Sequence, residues 1–185
     1  MIQDIISETE SKMKKAIESL HRELQSIRTG RASTSLIERI HVEYYGSNTP
    51  LNQMATLSAP EPRMLLVQPW DKNAMSAIEK AIQKSELNLT TNNDGKVIRV
   101  PIPPLTEQRR KELAKVVKVK VEEARIAIRN VRRDHLGDLK EMLQEKMISE
   151  DEDKRAQERI QQLTDKYVRE AETVGQHKEQ EISEV

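Results

Sequence analysis

The sequence predicts an α+β protein: an elongated antiparallel three-helix bundle whose chain is interrupted by a small inserted β/α domain. Three observations predict it. Residues 1–29 and 106–185 are highly charged, periodic in their apolar positions and free of proline. Residues 30–105 hold all seven prolines, the only tryptophan and two of the three tyrosines. A bundle divided in this way is joined to its insert by two chain crossings side by side, which is the arrangement of a hinge. The expected domains are therefore 1–29 with 106–185 for the bundle and 30–105 for the insert.

The first helix is read from Ile2, Ile6, Thr9, Met13, Ile17, Leu20, Leu24 and Ile27. Steps of four and three keep these residues on one stripe of a helix, about 40 Å long at ~1.5 Å per residue. Thr29-Gly30 ends it, with Gly30 expected as a left-handed cap. Residues 36–45 alternate in character and read as a strand. Gly46 to Pro50 carries turn residues. Met54–Leu57 and Met64–Gln68 are further strand candidates. Asp71 is placed to cap a short helix with Met75, Ile78 and Ile82 on its apolar face. Leu87–Thr91 and Lys96–Ile102 flank Asn92-Asn93-Asp94-Gly95, which reads as a hairpin. Pro101, Pro103 and Pro104 stop the last strand, because proline cannot donate to a ladder.

Thr106 caps the next helix, and Glu107 lies in its favourable first turn. Its seam runs Leu113, Val117, Val121, Ala124, Ile128 and Val131, and continues to Leu139 and Leu143. Without a proline before Met147 it approaches about 60 Å. Ser149 and Glu152 form a capping box for the last helix. That helix buries Ala156, Ile160, Leu163, Tyr167, Ala171 and Val174. Three long stripes hide one another only in a bundle.

Composition narrows the function. The chain has no cysteine, which removes disulfides, thiolate metal sites and thiol nucleophiles and fits a reducing cytoplasm. No stretch approaches the ~18 apolar residues of a membrane span, so a soluble, cytoplasmic protein is expected. The five glycines stand singly, and no phosphate loop or dinucleotide fingerprint exists. His135 and Asp138 share a helix face, but without a third ligand they read as solvated helix surface. No serine sits in a nucleophile elbow. The reading is of a protein without catalysis, metal or cofactor.

Charge is the sharper signal. The net formal charge is zero, yet residues 107–135 carry ten basic against five acidic residues, and 136–185 carry eight against fourteen. Lys111, Lys115, Lys118, Arg125, Arg129 and Arg132 recur at steps of three, four or seven along one helix face. Arg109, Arg110 and Arg133 flank them, and Glu122 interrupts them. Such a row equally suits a solvated face paired with acids of the next helix. The run Arg129-Asn130-Val131-Arg132-Arg133 favours RNA phosphate, which guanidinium grips as a planar fork. No aromatic residue lies on that helix, so base stacking is not its mode. Arg28 and Arg31 bracket Thr29-Gly30. They suit either a helix C-terminus or a second phosphate contact.

Several blocks resemble, in order, those of bacterial ribosome recycling factors. They are Ile27-Arg28-Thr29-Gly30-Arg31-Ala32-Ser33, Tyr45-Gly46, Thr49-Pro50-Leu51-Asn52-Gln53, Gln68-Pro69-Trp70-Asp71, Ile78-Glu79-Lys80-Ala81-Ile82, Asn93-Asp94-Gly95 with Ile98-Arg99, the run from Pro103 to Leu113, and Arg129-Asn130-Val131-Arg132-Arg133-Asp134. The likeness covers essentially the whole chain. Thr34 stands where the family usually has proline, and Asn88 where it commonly has glycine. The resemblance implies an L-shaped, hinged molecule without an active site. It implies that the bundle binds the rRNA of the large ribosomal subunit after peptide release. The small domain is then engaged by elongation factor G, whose GTP hydrolysis drives separation of the subunits. It assigns rRNA contact to Arg129, Arg132 and Arg133, with Arg28, Arg31 and Arg110 as weaker candidates. It assigns the hinge to Thr29, Gly30, Pro103, Pro104 and Leu105. The rival readings are a helical adaptor and a general RNA-binding protein. A monomer is expected, because a bundle that satisfies its own seams needs no partner helix.

Overall fold

The structure is a computed structural model and describes residues 1–184. The chain divides into two units. One comprises residues 1–28 and 106–184, the other residues 29–105.

The first unit is three long helices. α1 spans Ile2–Gln25, α3 Glu107–Gln144 and α4 Glu150–Ser183. Each packs against both others. Lys120 reaches Glu23 while His135 meets Thr9, so α1 and α3 run antiparallel. Arg125 reaches Glu172 while Arg132 reaches Gln161, so α3 and α4 do as well. Met13, Ile17, Val117, Ile128, Ile160 and Ala171 are among the residues buried between them. A second apolar cluster at the far end joins Leu139, Ile148, Ala156 and Ile160. These are the faces that the three- and four-residue spacing marks as apolar.

The helix ends follow capping chemistry. Thr106 accepts from the Arg109 backbone N–H, and the Ser149–Glu152 capping box is formed. α3 ends at Gln144, and its closing turn passes through Lys146, which has φ of +59°. The Lys146 and Met147 N–H groups donate to Leu143 and Met142 carbonyls, which is a Schellman closure built without glycine. α1 ends sooner than expected. The Ser26 hydroxyl donates to the Glu23 carbonyl and closes the helix after Gln25. Gly30 is therefore not its cap, although it does adopt φ of +82°.

Val131 and Val174 are only half-buried. The seam positions next to them are taken by His135 and Gly175, both buried. His135 is 3% exposed, so it is not the solvated residue the sequence suggested. Thr9 donates its hydroxyl proton to the Ile5 carbonyl. Its oxygen is left to accept from the His135 Nδ1–H, and the polar pair satisfies itself inside the bundle.

The second unit pairs a two-stranded ribbon, β1 (His41–Tyr44) with β2 (Ser47–Pro50), and a four-stranded antiparallel sheet. That sheet has the order β3 (Ala55–Glu61), β4 (Met64–Pro69), β6 (Ile98–Pro101) and β5 (Asn92–Asn93). Helix α2 (Met75–Lys84) buries Met75, Ile78 and Ile82 in the same core as Leu65, Val67 and Val100. Asp71 accepts from the Asn73 N–H and so caps the 3₁₀ turn Lys72–Ala74 that leads into α2, whose own N-cap is Ala74 without a side-chain cap bond.

Three readings of this unit change. The strand expected over residues 36–45 is only His41–Tyr44; residues 34–36 form a short 3₁₀ turn, after which Ile37 enters the core. Ser47–Pro50 is a strand, and the turn is Tyr45-Gly46, both with positive φ. Leu87–Thr91 is not a strand, and the hairpin arm on that side is only Asn92–Asn93. Glu79 and Gln83 of α2 hold this segment through Asn93 and Thr91. Asn88 adopts φ of +48°, a conformation that asparagine tolerates where glycine would be free.

Both crossings are fastened within this unit. The Ala32 N–H donates to the Pro62 carbonyl at 2.6 Å, and the Ile102 N–H to the Arg63 carbonyl at 2.8 Å. Gly30 is buried, and a Cβ there would stand 3.2 Å from Leu105 Cγ.

Candidate nucleic-acid interface

The basic row lies on α3, where a continuous backbone ladder sets each side chain about 100° from the last. Lys111, Lys115 and Lys118 precede Arg125, Arg129 and Arg132 along α3, and Arg125 and Arg132 reach across to α4. Their surroundings differ sharply. Arg125 is the most engaged, donating to Glu172 of α4 at 2.8 Å and to Glu122 at 3.2 Å. Glu122 also lies 3.6 Å from Arg129. The acid that interrupts the row therefore neutralises its middle.

Beyond that point the charge is presented outward. Arg129 and Arg133 have side chains 55% and 74% exposed. Among the described residues Arg133 pairs only with Asp134, at 3.9 Å, a separation at which an exposed pair adds little. Arg132 is half-buried and held in place. Its Nη1 donates to Gln161 Oε1 at 2.8 Å, while Gln161 Nε2 donates to Asp165 at 2.9 Å. Asp165 thus turns the Gln161 amide so that its carbonyl faces the guanidinium. Nη1 is fixed by Gln161, while Nε is buried and makes no hydrogen bond among the described residues; holding the side chain in place in this way reduces the ordering cost of meeting a phosphate.

The six arginines singled out do not all share this surface. Arg129, Arg132 and Arg133 lie within one turn of α3 and form the cluster. Arg110 is on the same helix but in register with Leu113 and Val117, along the buried seam, and is half-buried. Arg28 closes the first unit, and Arg31 belongs to the second. Gln161 was missed. Nothing in the spacing of α4 marks it, because its role depends on the register between two helices.

Elsewhere the charges are paired for structure. The charge of Glu123, and after it that of Glu23, raises the pKa of Lys120. A hydrogen bond from Arg109 is the main cause that holds Glu112 below the usual carboxylate range. Among the described residues no group of three or more histidine, cysteine, aspartate or glutamate side chains is placed to hold a metal ion. No helix among them is long and apolar enough to cross a membrane.

The chain matches the family model described as ribosome recycling factor over residues 20–182. The chain belongs to the ribosome recycling factor family. Ribosome-recycling factors of Chloroflexus aurantiacus and Heliobacterium modesticaldum are each 57% identical to it over 185 residues, covering all of both chains. That of Roseiflexus castenholzii is 56% identical over the same span. A solution structure of a ribosome recycling factor matches with a TM-score of 0.72 and 50% identity, over 100% of this chain and 98% of the other. A further match belongs to models for the T. thermophilus ribosome recycling factor and the E. coli elongation factor G bound to the E. coli post-termination complex. It has a TM-score of 0.62 and 48% identity, over 98% of each chain. Membership of the family makes the chain a translation factor that acts in ribosome recycling.

Proposed function

We propose that the protein binds the large subunit of post-termination ribosomes through α3 and, with elongation factor G and GTP, separates the subunits for reuse. The observation that carries this reading is the Arg129, Arg132 and Arg133 cluster, with Arg132 pre-set by Gln161. Guanidinium groups on a stiff helix contact phosphates and release their counterions, which supplies affinity without sequence readout. A folded rRNA surface rich in backbone suits this better than unpaired bases, since α3 carries no aromatic side chain. Thr29, Gly30, Pro103, Pro104 and Leu105 act as the hinge, so that the second unit moves while the bundle stays docked. Because Ala32 and Ile102 are tied to the β3–β4 turn, the motion falls in the few residues outside those bonds. The work comes from the GTPase. This chain acts in the cytoplasm, as a monomer, with no active site or cofactor of its own.

The test is equilibrium binding to isolated large subunits over a range of salt. Arg129→Ala, Arg132→Ala and Arg133→Ala are each expected to weaken binding and to flatten the log–log salt dependence by roughly one phosphate contact. Binding that is insensitive to salt, or unchanged in all three variants, overturns the reading.

A further inference from the structure

Two arginines of α3 meet α4 at equivalent places and are treated oppositely. Arg125 and Arg132 lie seven residues apart, as do Asp165 and Glu172, and packed antiparallel helices repeat their facing positions at that interval. Arg125 meets Glu172 directly, at 2.8 Å. Arg132 has Asp165 in the matching place, but Gln161 stands between them. Its carbonyl oxygen accepts from Arg132, and its amide donates to Asp165. An amide is neutral, so the closest partner of Arg132 leaves its charge uncancelled, whereas that of Arg125 does not. Glu122 widens the difference. One of its carboxylate oxygens takes Arg125 at 3.2 Å and the other Arg129 at 3.6 Å. Among the described residues it pairs with neither Arg132 nor Arg133. The Arg125 side chain is still 30% exposed, so a phosphate would reach it if those carboxylates did not hold it.

We propose that Glu122 and Glu172 are specificity-determining residues that withhold Arg125 and temper Arg129, confining the phosphate grip of α3 to the turn from Arg129 to Arg133, an inference that rests on the reading above in which that turn meets rRNA. An unbroken row of cations along α3 would bind any RNA backbone, because phosphate contacts carry no sequence information and each adds affinity by counterion release. An ion pair already made inside the protein must be given up before its guanidinium turns to a phosphate, and the freed carboxylate then repels that phosphate. A grip confined to one turn binds well only where a folded RNA surface brings its phosphates to that turn, which disfavours RNA at large. Gln161 has the opposite part, since it keeps Asp165 from cancelling Arg132.

The experiment compares the full-length parent with Glu122→Gln and Glu172→Gln combined, and with Gln161→Glu. A control combines Glu18→Gln with Glu170→Gln, which removes the same charge from exposed positions that pair with none of these arginines. Circular dichroism first checks that each variant melts like the parent. Glu122→Gln alone, which leaves the Glu172 bridge in place, is used if the combined variant melts early. Binding is measured over a range of salt to isolated large subunits and to an unrelated RNA duplex. In the combined variant the duplex is expected to bind roughly ten-fold more tightly at ~0.1 M salt, with a log–log slope steeper by roughly one phosphate contact. Large-subunit binding rises less, so the preference for the subunit falls. Gln161→Glu is expected to weaken large-subunit binding by roughly ten-fold, the loss of about one contact. Unchanged duplex binding in the folded combined variant overturns the proposal. An equal gain in the control also overturns it, because net charge is then the cause. So does a Gln161→Glu protein that binds the subunit like the parent while Arg132→Ala weakens binding, because a carboxylate facing an arginine then withholds nothing. Failure of Arg132→Ala to weaken large-subunit binding would instead defeat the functional reading on which the proposal stands.

Discussion

Gly175 of α4 lies so close to Val121 of α3 that a Cβ on the glycine would stand 2.4 Å from Val121 Cγ2. The glycine is the reason the two helices approach closely beside the salt bridge from Arg125 to Glu172. Gly175→Ala gains about 1 kcal/mol of helix propensity, but the clash meets a β-branched side chain with little freedom to rotate. Overpacking of this kind costs about 1–3 kcal/mol. The substitution is expected to lower the denaturation midpoint, and pairing it with Val121→Ala should return part of the loss. A stabilised single variant in chemical denaturation would show that the helices separate freely.

Thr9 and His135 make the bundle's interior polar at one level. With the Thr9 hydroxyl proton committed to Ile5, the histidine is the donor in their bond. Thr9→Val keeps the shape and strands that buried donor, at a cost of about 1–3 kcal/mol. Thermal unfolding followed at 222 nm checks this, and an unchanged midpoint contradicts it.

Lys146 holds a left-handed backbone at the end of α3, which costs an L-residue about 1–2 kcal/mol. Lys146→Gly relieves that cost while keeping the Schellman bonds. A rise in melting temperature is expected, and a fall would mean that the lysine side chain contributes more than its backbone strain takes away.

Asp94 organises the turn before β6. Its carboxylate accepts from the Val97 and Lys96 N–H groups, both at 2.9 Å, and from Arg99. The Val97 bond is the largest cause that lowers its pKa to about 2. Because the folded value is depressed, the stabilisation is present above the ordinary carboxylate value near pH ~4 and is lost as pH falls towards ~2. Trp70 is the only tryptophan and lies in the same unit. Its fluorescence in denaturant should therefore show a weakening between those pH values that Asp94→Asn flattens. A side-chain carboxyl titration by NMR that places Asp94 at the ordinary value contradicts this.

What the sequence discloses depends on how local the cause is. The seam of α3 was legible because Leu113, Val117, Val121 and Ile128 repeat the period of the helix. His135 continues the same spacing, seven residues after Ile128, and was passed over because its partner Thr9 lies 126 residues away. Asp71 and Ser149 were legible as caps because capping is settled within three residues. The Tyr45-Gly46 turn was not, because tyrosine is not a residue that turns favour and the polar strand after it looks like a loop. The arginine cluster was plain in the run from Arg129 to Arg133. That Arg132 is positioned and Arg125 is occupied depends on Gln161 and Glu172 of α4, which only the helix register brings into reach.

The central claim is that the arginine cluster of α3 holds the bundle on the ribosome while subunits part. The measurement that tests it most directly is light scattering of post-termination ribosomes mixed with this protein, elongation factor G and GTP, comparing the parent with Arg132→Ala. The account predicts a fall in scattering only when all components are present. It also predicts a rate roughly ten-fold lower or more for the variant, as for the loss of one charged hydrogen-bonding group, with an unchanged melting temperature. Equal splitting by a folded Arg132→Ala protein, or no splitting by the parent, would contradict it.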